Sequence, residues 1–156
     1  SLLLLEHLYP KLINHVELEF VGYSASSVIS KIKNYSGKIK VTSVGVVSPQ
    51  EAADLMRESS LLVAIDADIS PNIFLPSKLF DYLAHNNKVL AISPDGASSD
   101  FANAVGFSCF DPKQSRPIAD AINKVIEGKC IILKNLDTYT ARENAKKLNE
   151  IVEKLF

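Results

Sequence analysis

Two short stretches of this chain combine a helix start with residues able to hold an anion. In the first, the segment from Asp66 to Pro76 carries Asp66, Asp68, Ser70, Pro71 and Asn72, and it feeds Leu75-Pro76-Ser77-Lys78. Proline pre-sets the helical dihedral, and the amides that follow have no intrahelical partner. The positive helix end and the Lys78 ammonium therefore suit a phosphate. A capped helix with a solvated lysine explains the same residues. One turn on, Asp81 can accept hydrogen bonds from two hydroxyls of a ribose or a sugar, or it can simply favour the helix dipole. The second stretch is Ser93-Pro94-Asp95-Gly96-Ala97-Ser98. Its glycine permits close approach of a ligand to the backbone ahead of another helix start. Pro-Asp-Gly is equally ordinary turn chemistry. Gly22-Tyr23-Ser24 and the segment from Val46 to Pro49 complete the turns able to border a ligand.

Other chemistries lack their residues. Gly22 belongs to no G-x-G-x-x-G run, and no G-x-x-x-x-G-K-[ST] occurs, so neither common nucleotide fingerprint is present. His7, His15 and His85 form no i, i+4 pair with an acidic partner, so no metal site is expected. His85 suits the C-terminus of a helix. There is no G-x-S-x-G elbow. Cys109 falls in a strand as a small core residue, and Cys109 and Cys130 make no C-x-x-C, so neither zinc nor a disulfide framework is suggested. Seventeen basic residues against eighteen acidic ones give a net charge of -1, without the basic excess of a phosphate-neutralising nucleic-acid binder. The run Leu2-Leu3-Leu4-Leu5 is too short to span a bilayer.

The elements that must position these residues follow from periodicity. Apolar residues at Leu4, Leu5, Leu8, Leu12 and Val16 predict a helix over 2–16. Strands are expected at 17–21, 40–47, 61–65, 88–92 and 107–110. Helices are expected at 26–35, 49–59, 77–85, 99–105 and 117–127, the last stopped by Gly128. Ser48-Pro49-Gln50-Glu51 and Thr140-Ala141-Arg142-Glu143 read as capping boxes. The second opens a final helix with Ala145, Leu148, Ile151, Val152 and Leu155 on one face. Strands apolar on both faces demand a parallel sheet covered by helices. The expected fold is α/β, a Rossmann-like doubly wound parallel sheet of about five strands in a single domain over 1–156. Ligands in such sheets bind beyond the carboxyl ends of the strands, where the four turns above lie.

The run Leu75-Pro76-Ser77-Lys78-Leu79-Phe80-Asp81-Tyr82-Leu83-Ala84, followed by Asn87-Lys88-Val89-Leu90-Ala91-Ile92, resembles the most recognisable segment of retaining GT-B glycosyltransferases. It is similar to the variant found in family 4 enzymes of bacterial surface-polysaccharide synthesis. The helix and strand from Glu51 to Val63, and the closing helix, are also similar to that family. The resemblance implies the C-terminal, donor-binding half of such an enzyme. It implies a nucleotide-diphosphate sugar as substrate, with no cofactor, and transfer of the sugar to a glycan or lipid-linked acceptor. It would set Asp81 at the donor ribose and the amides of Ser77, Lys78 and Leu79 near the diphosphate, with Lys78 as its stabiliser. Asp95 and Gly96 would face the sugar or distal phosphate, and Val46 and Val47 the base, with Gly22 at the turn after the first strand. The enzyme implied is cytoplasmic, peripheral to the inner membrane face where its acceptor is lipid-linked.

Three departures from the family pattern bear on this expectation. Asp81 is one methylene shorter than the usual glutamate, and Ile73 stands where the first acid of the Glu-x7-Glu pair would fall. The basic pair that clamps the diphosphate, and the N-terminal acceptor domain, would precede Ser1, so the chain is expected to be a C-terminal fragment inactive alone. A GT-B relative such as a nucleotide-sugar 2-epimerase would need histidine and carboxylate groups near the sugar. A non-catalytic α/β nucleotide-binding or signalling module would carry an acidic cluster after the first strand, where Gly22-Tyr23-Ser24 stands.

Overall fold

A computed structural model describes residues 2–85, 88–129 and 133–153; the side chains at 141, 144, 148, 151 and 152 lie outside the described set. Five parallel strands alternate with helices, as the sequence pattern requires. The strands are β1 (Glu17–Val21), β2 (Lys40–Gly45), β3 (Leu62–Ile65), β4 (Val89–Ile92) and β5 (Ser108–Phe110). The helices are α1 (Leu2–Leu8), α2 (Ser26–Lys33), α3 (Pro49–Glu58), α4 (Lys78–His85), α5 (Ala97–Val105), α6 (Ser115–Ile126) and α7 (Ala141–Glu153).

Hydrogen bonding divides the strands into β1-β2 and β3-β4-β5, all pairs parallel. The two sheets also differ in burial. In β4, Val89, Leu90 and Ala91 are all buried, the signature of a strand covered on both faces, whereas β3 buries Leu62 and Ala64 on one face and leaves Ile65 54 % exposed. β1 alternates, with Glu17, Glu19 and Val21 exposed, so that pair is half solvated. Val89 and Ala91 face a core built with Leu79, Phe101, Ala102 and Val105 from α4 and α5. Leu90 points the other way, into a cleft shared with Pro117, Ala121 and Val125 of α6. Leu79 is fully buried, and Leu79→Ala would cost on the order of 3 kcal/mol in transfer and cavity terms.

The opening helix is shorter than its apolar spacing predicts. It stops at Leu8, and Pro10–Leu12 forms a 3-10 turn, because Pro10 brings no N–H and its ring would clash with the preceding helical turn. β2 likewise ends at Gly45, whose φ of +84° turns the chain, so Val46 and Val47 lie beyond the strand. The Ser48 box is complete: Glu51 N–H donates to Ser48 Oγ (3.2 Å), and Ser48 N–H donates to the Glu51 carboxylate (2.8 Å). At Thr140 one half forms, Glu143 N–H donating to Oγ1 at 3.3 Å. Leu136–Tyr139 adds a 3-10 turn that periodicity does not signal. Asn87, Cys130 and Leu155 lie outside the described residues, as do the side chains of Leu148, Ile151 and Val152.

One carboxylate joins α1 to the first strand pair. Glu6 Oε1 accepts from the Tyr35 hydroxyl (2.6 Å) and from the Lys38 and Ile39 amides (2.7 Å each). The chain passes so close that a Cβ at Gly37 would overlap the Tyr35 hydroxyl and Glu6 Oε1. The Ile39 amide and the Tyr35 hydroxyl hold the Glu6 carboxyl below its ordinary value of 4.5. Burial, aided by the bond to Glu6, pushes the Tyr35 hydroxyl up to about 12. A carboxyl so lowered stabilises the fold above its unfolded-state value, and that contribution fades as pH falls through the lower folded-state value. Thermal unfolding should therefore show Glu6→Gln lowering the midpoint at neutral pH and flattening part of the decline below pH 4.5. An unchanged pH profile would contradict this assignment.

Candidate functional site

The carboxyl ends of β3 and β4 are built around one side chain. Asn72, 7 % exposed, sits in the long loop after β3. Its Nδ2 donates to Ser93 Oγ (2.9 Å) and to Asp66 Oδ2 (3.2 Å), while its Oδ1 accepts from the Phe74 amide (3.1 Å). Its main chain forms an isolated parallel bridge to Gly96. The Asn72 amide donates to Asp95 O (3.0 Å), and the Ala97 amide donates to Asn72 O (2.7 Å). Ser98, fully buried, donates its hydroxyl to the same Asp66 oxygen at 2.6 Å. A buried amide must find partners or cost several kcal/mol, and here every polar atom of Asn72 is engaged.

This bridge dictates Gly96. Its φ of +143° belongs to a region that only glycine occupies freely, and a Cβ would overlap the Asn72 carbonyl. The glycine therefore serves close backbone approach between two loops. The Gly96 amide donates to Ser99 Oγ (2.9 Å), and Asp95 keeps its side chain exposed beside it.

At the other end of the loop, Lys78 opens α4. Its Nζ donates to the Ile65 carbonyl at 3.1 Å, and it has no ion pair among the described residues. The carbonyl holds the ammonium over the end of β3 without neutralising it. The first turn closes as Leu79 N–H donates to Pro76 O (3.1 Å), and the Phe80 and Asp81 amides donate to Ser77 O (3.0 and 3.4 Å). The Ser77 and Lys78 amides make no hydrogen bond among the described residues, whereas Leu79 spends its amide in the turn and its side chain in the core. Asp81 is exposed, and its carboxylate has no partner among the described residues; its carbonyl oxygen lies 2.8 Å from His85 Nδ1.

Ser77, Lys78, Leu79 and Asp81, at the start of α4, and Asp95 and Gly96, in the turn before α5, thus follow neighbouring strands of one sheet. Gly22, Val46 and Val47 gather separately. The Gly22 amide donates to Gly45 O (2.7 Å) across the ends of β1 and β2, and Val46 is 80 % exposed. No hydrogen bond between described residues joins the two groups. His7 lies in α1 and His85 ends α4, and no cluster of three potential metal ligands occurs among the described residues. Cys109 is half-buried, and burial with the Asp66 charge raises its thiol to about 11. The bridging roles of Asn72, Ser93 and Ser98 have one local signal in the sequence. Asparagine readily accepts from the amide two residues on, as Asn72 does from Phe74.

Against protein-family models, curated proteins and solved structures, the chain finds no match. The site must therefore be read from its own geometry.

Two outcomes check that geometry. Gly96→Ala should destabilise the protein by about 3 kcal/mol in denaturant unfolding, because the overlap falls on backbone; a change within 0.5 kcal/mol, about that of an exposed substitution, would refute the close approach. Alkylation followed by peptide mass spectrometry at neutral pH should modify Cys109 far more slowly than an unfolded cysteine, its thiolate being scarce. Equal rates would refute its burial.

Proposed function

We propose that this chain is the donor-binding domain of a glycosyltransferase, moving a sugar from a nucleotide diphosphate to a glycan or lipid-linked acceptor. The observation that carries the reading is the Lys78 ammonium, held by the Ile65 carbonyl at 3.1 Å and left without a carboxylate partner among the described residues. Beside it stand the open amides of Ser77 and Lys78 at a helix start, a set of donors matched to phosphate oxygens. Asp81, exposed and unengaged one turn on, accepts the ribose hydroxyls. The likeness of the run from Leu75 to Ala84 to the GT-B donor segment supports the same assignment.

In this reading the chain acts on the leaving group. As the bond from sugar to diphosphate breaks, negative charge grows on the phosphate oxygens. Donors already fixed in place stabilise that charge without reorganising. Acceptor binding and a second cationic clamp belong to an N-terminal domain of a longer enzyme, which works in the cytoplasm against the inner membrane face. No described helix is long and apolar enough to cross a membrane.

Nuclear magnetic resonance titration with UDP, GDP and ADP tests the reading. One nucleotide should shift the amides of Gly22, Ser77 to Asp81 and Gly96, with a Kd on the order of 1 mM, about 4 kcal/mol. Asp81→Ala should weaken it several-fold. Absence of shifts at these amides for all three nucleotides, at concentrations well above that Kd, would count against the reading.

A further inference from the structure

We propose that Asn72 is the positioning residue of this site, a role that rests on the nucleotide-binding reading. The loop from Asp66 to Ser77 is longer than most strand-to-helix connections, and loops of that length commonly move. This one is fastened at three places. Lys78 Nζ reaches the Ile65 carbonyl at its base. Asn72 grips Asp66 and Ser93 by its side chain, and the turn at Asp95 to Ala97 by its main chain. The Phe74 amide is tied back to Asn72 Oδ1, and Pro76 fixes its own φ. The stretch that delivers the Ser77 and Lys78 amides therefore leaves Asn72 in one direction, with little freedom on the way.

The consequence concerns binding cost. A loop that must order around its ligand loses affinity to conformational entropy, and one already ordered does not. Asn72 touches no nucleotide in this account. It acts by holding the donors at Ser77 and Lys78 at a constant distance from the turn at Gly96. Its grip depends on complementary groups: Nδ2 donates and the Asp66 carboxylate accepts. Exchanging the two residue types keeps a donor and an acceptor in that bond and leaves the net charge unchanged, with the Ser93 and Ser98 hydroxyls, each able to donate or accept, reversing their roles, whereas truncating Asn72 removes the bond.

Titration of the nucleotide that binds the unaltered chain best, followed by amide shifts, separates the possibilities. Asn72→Ala should weaken binding at least tenfold while the amides of β1 and α6 keep their positions. The exchanged pair, Asp66→Asn with Asn72→Asp, should recover affinity to within about threefold. If Asn72→Ala fails to fold, Ser98→Ala takes its place. It removes one donor from Asp66 and should weaken binding two- to fivefold. Affinity unchanged in the folded truncation variant, or an exchanged pair no better than the truncation, overturns the positioning role alone. An unaltered chain that binds none of the three nucleotides removes the nucleotide reading and this role with it.

Discussion

A buried amide side chain at the end of a parallel sheet sets a severe condition on everything around it. Asn72 is removed from water, so each of its polar atoms must meet a partner, or the loop that carries it leaves the core. The partners come from different elements: Asp66 at the end of β3, Ser93 at the end of β4, and Asp95 and Ala97 at the start of α5. Satisfying one residue thus fixes the relative positions of two strand ends and one helix start. The absence of a side chain at Gly96, the buried Ser98 hydroxyl and the outward course of Ile73 and Phe74 all follow from it. Those two side chains are 74 % and 73 % exposed although the backbone beneath them is fastened.

The same condition separates what holds the site from what could act there. Asp66 is a carboxylate at a strand end, yet one of its oxygens already accepts from Asn72 and Ser98, so its role is structural. Lys78 and Asp81 differ. The first is bonded only to a carbonyl, the second not at all through its carboxylate, among the described residues. The two charges stand three residues apart at one helix start, and they form no ion pair with each other.

Much of the fold was legible in the sequence because hydrophobic periodicity reports burial directly. The near-continuous apolar runs at Leu61 to Ile65 and Lys88 to Ile92 became the two most buried strands, and Ser48 with Glu51 formed both bonds of its box. The residue pattern of Glu17 to Val21 indicated a strand, and the exposure of Glu17 and Glu19 shows that one of its faces is solvated; that it pairs with β2 and not with β3 among the described residues is set by long-range packing that no local pattern encodes. Apolar spacing carried the first helix through Pro10, where backbone chemistry forbids it. In the site, the helix start at Ser77 and Lys78 was legible from local types. The clamp made by Asn72 was not, because its partners lie as far along the chain as Ala97, 25 residues away, and no local pattern encodes a contact of that range.

The loops after β3 and β4 form one unit, joined through Asn72. Native-state hydrogen exchange on the chain tests it directly, through the amides of Asn72 and Ala97, which cross between the loops in opposite directions. If the loops are one unit, these two amides exchange with the same opening free energy as the Asp66 and Ser93 amides that continue the sheet. Exchange at Asn72 and Ala97 a hundredfold or more faster than at Asp66 and Ser93 would show the loops opening independently and would contradict the account.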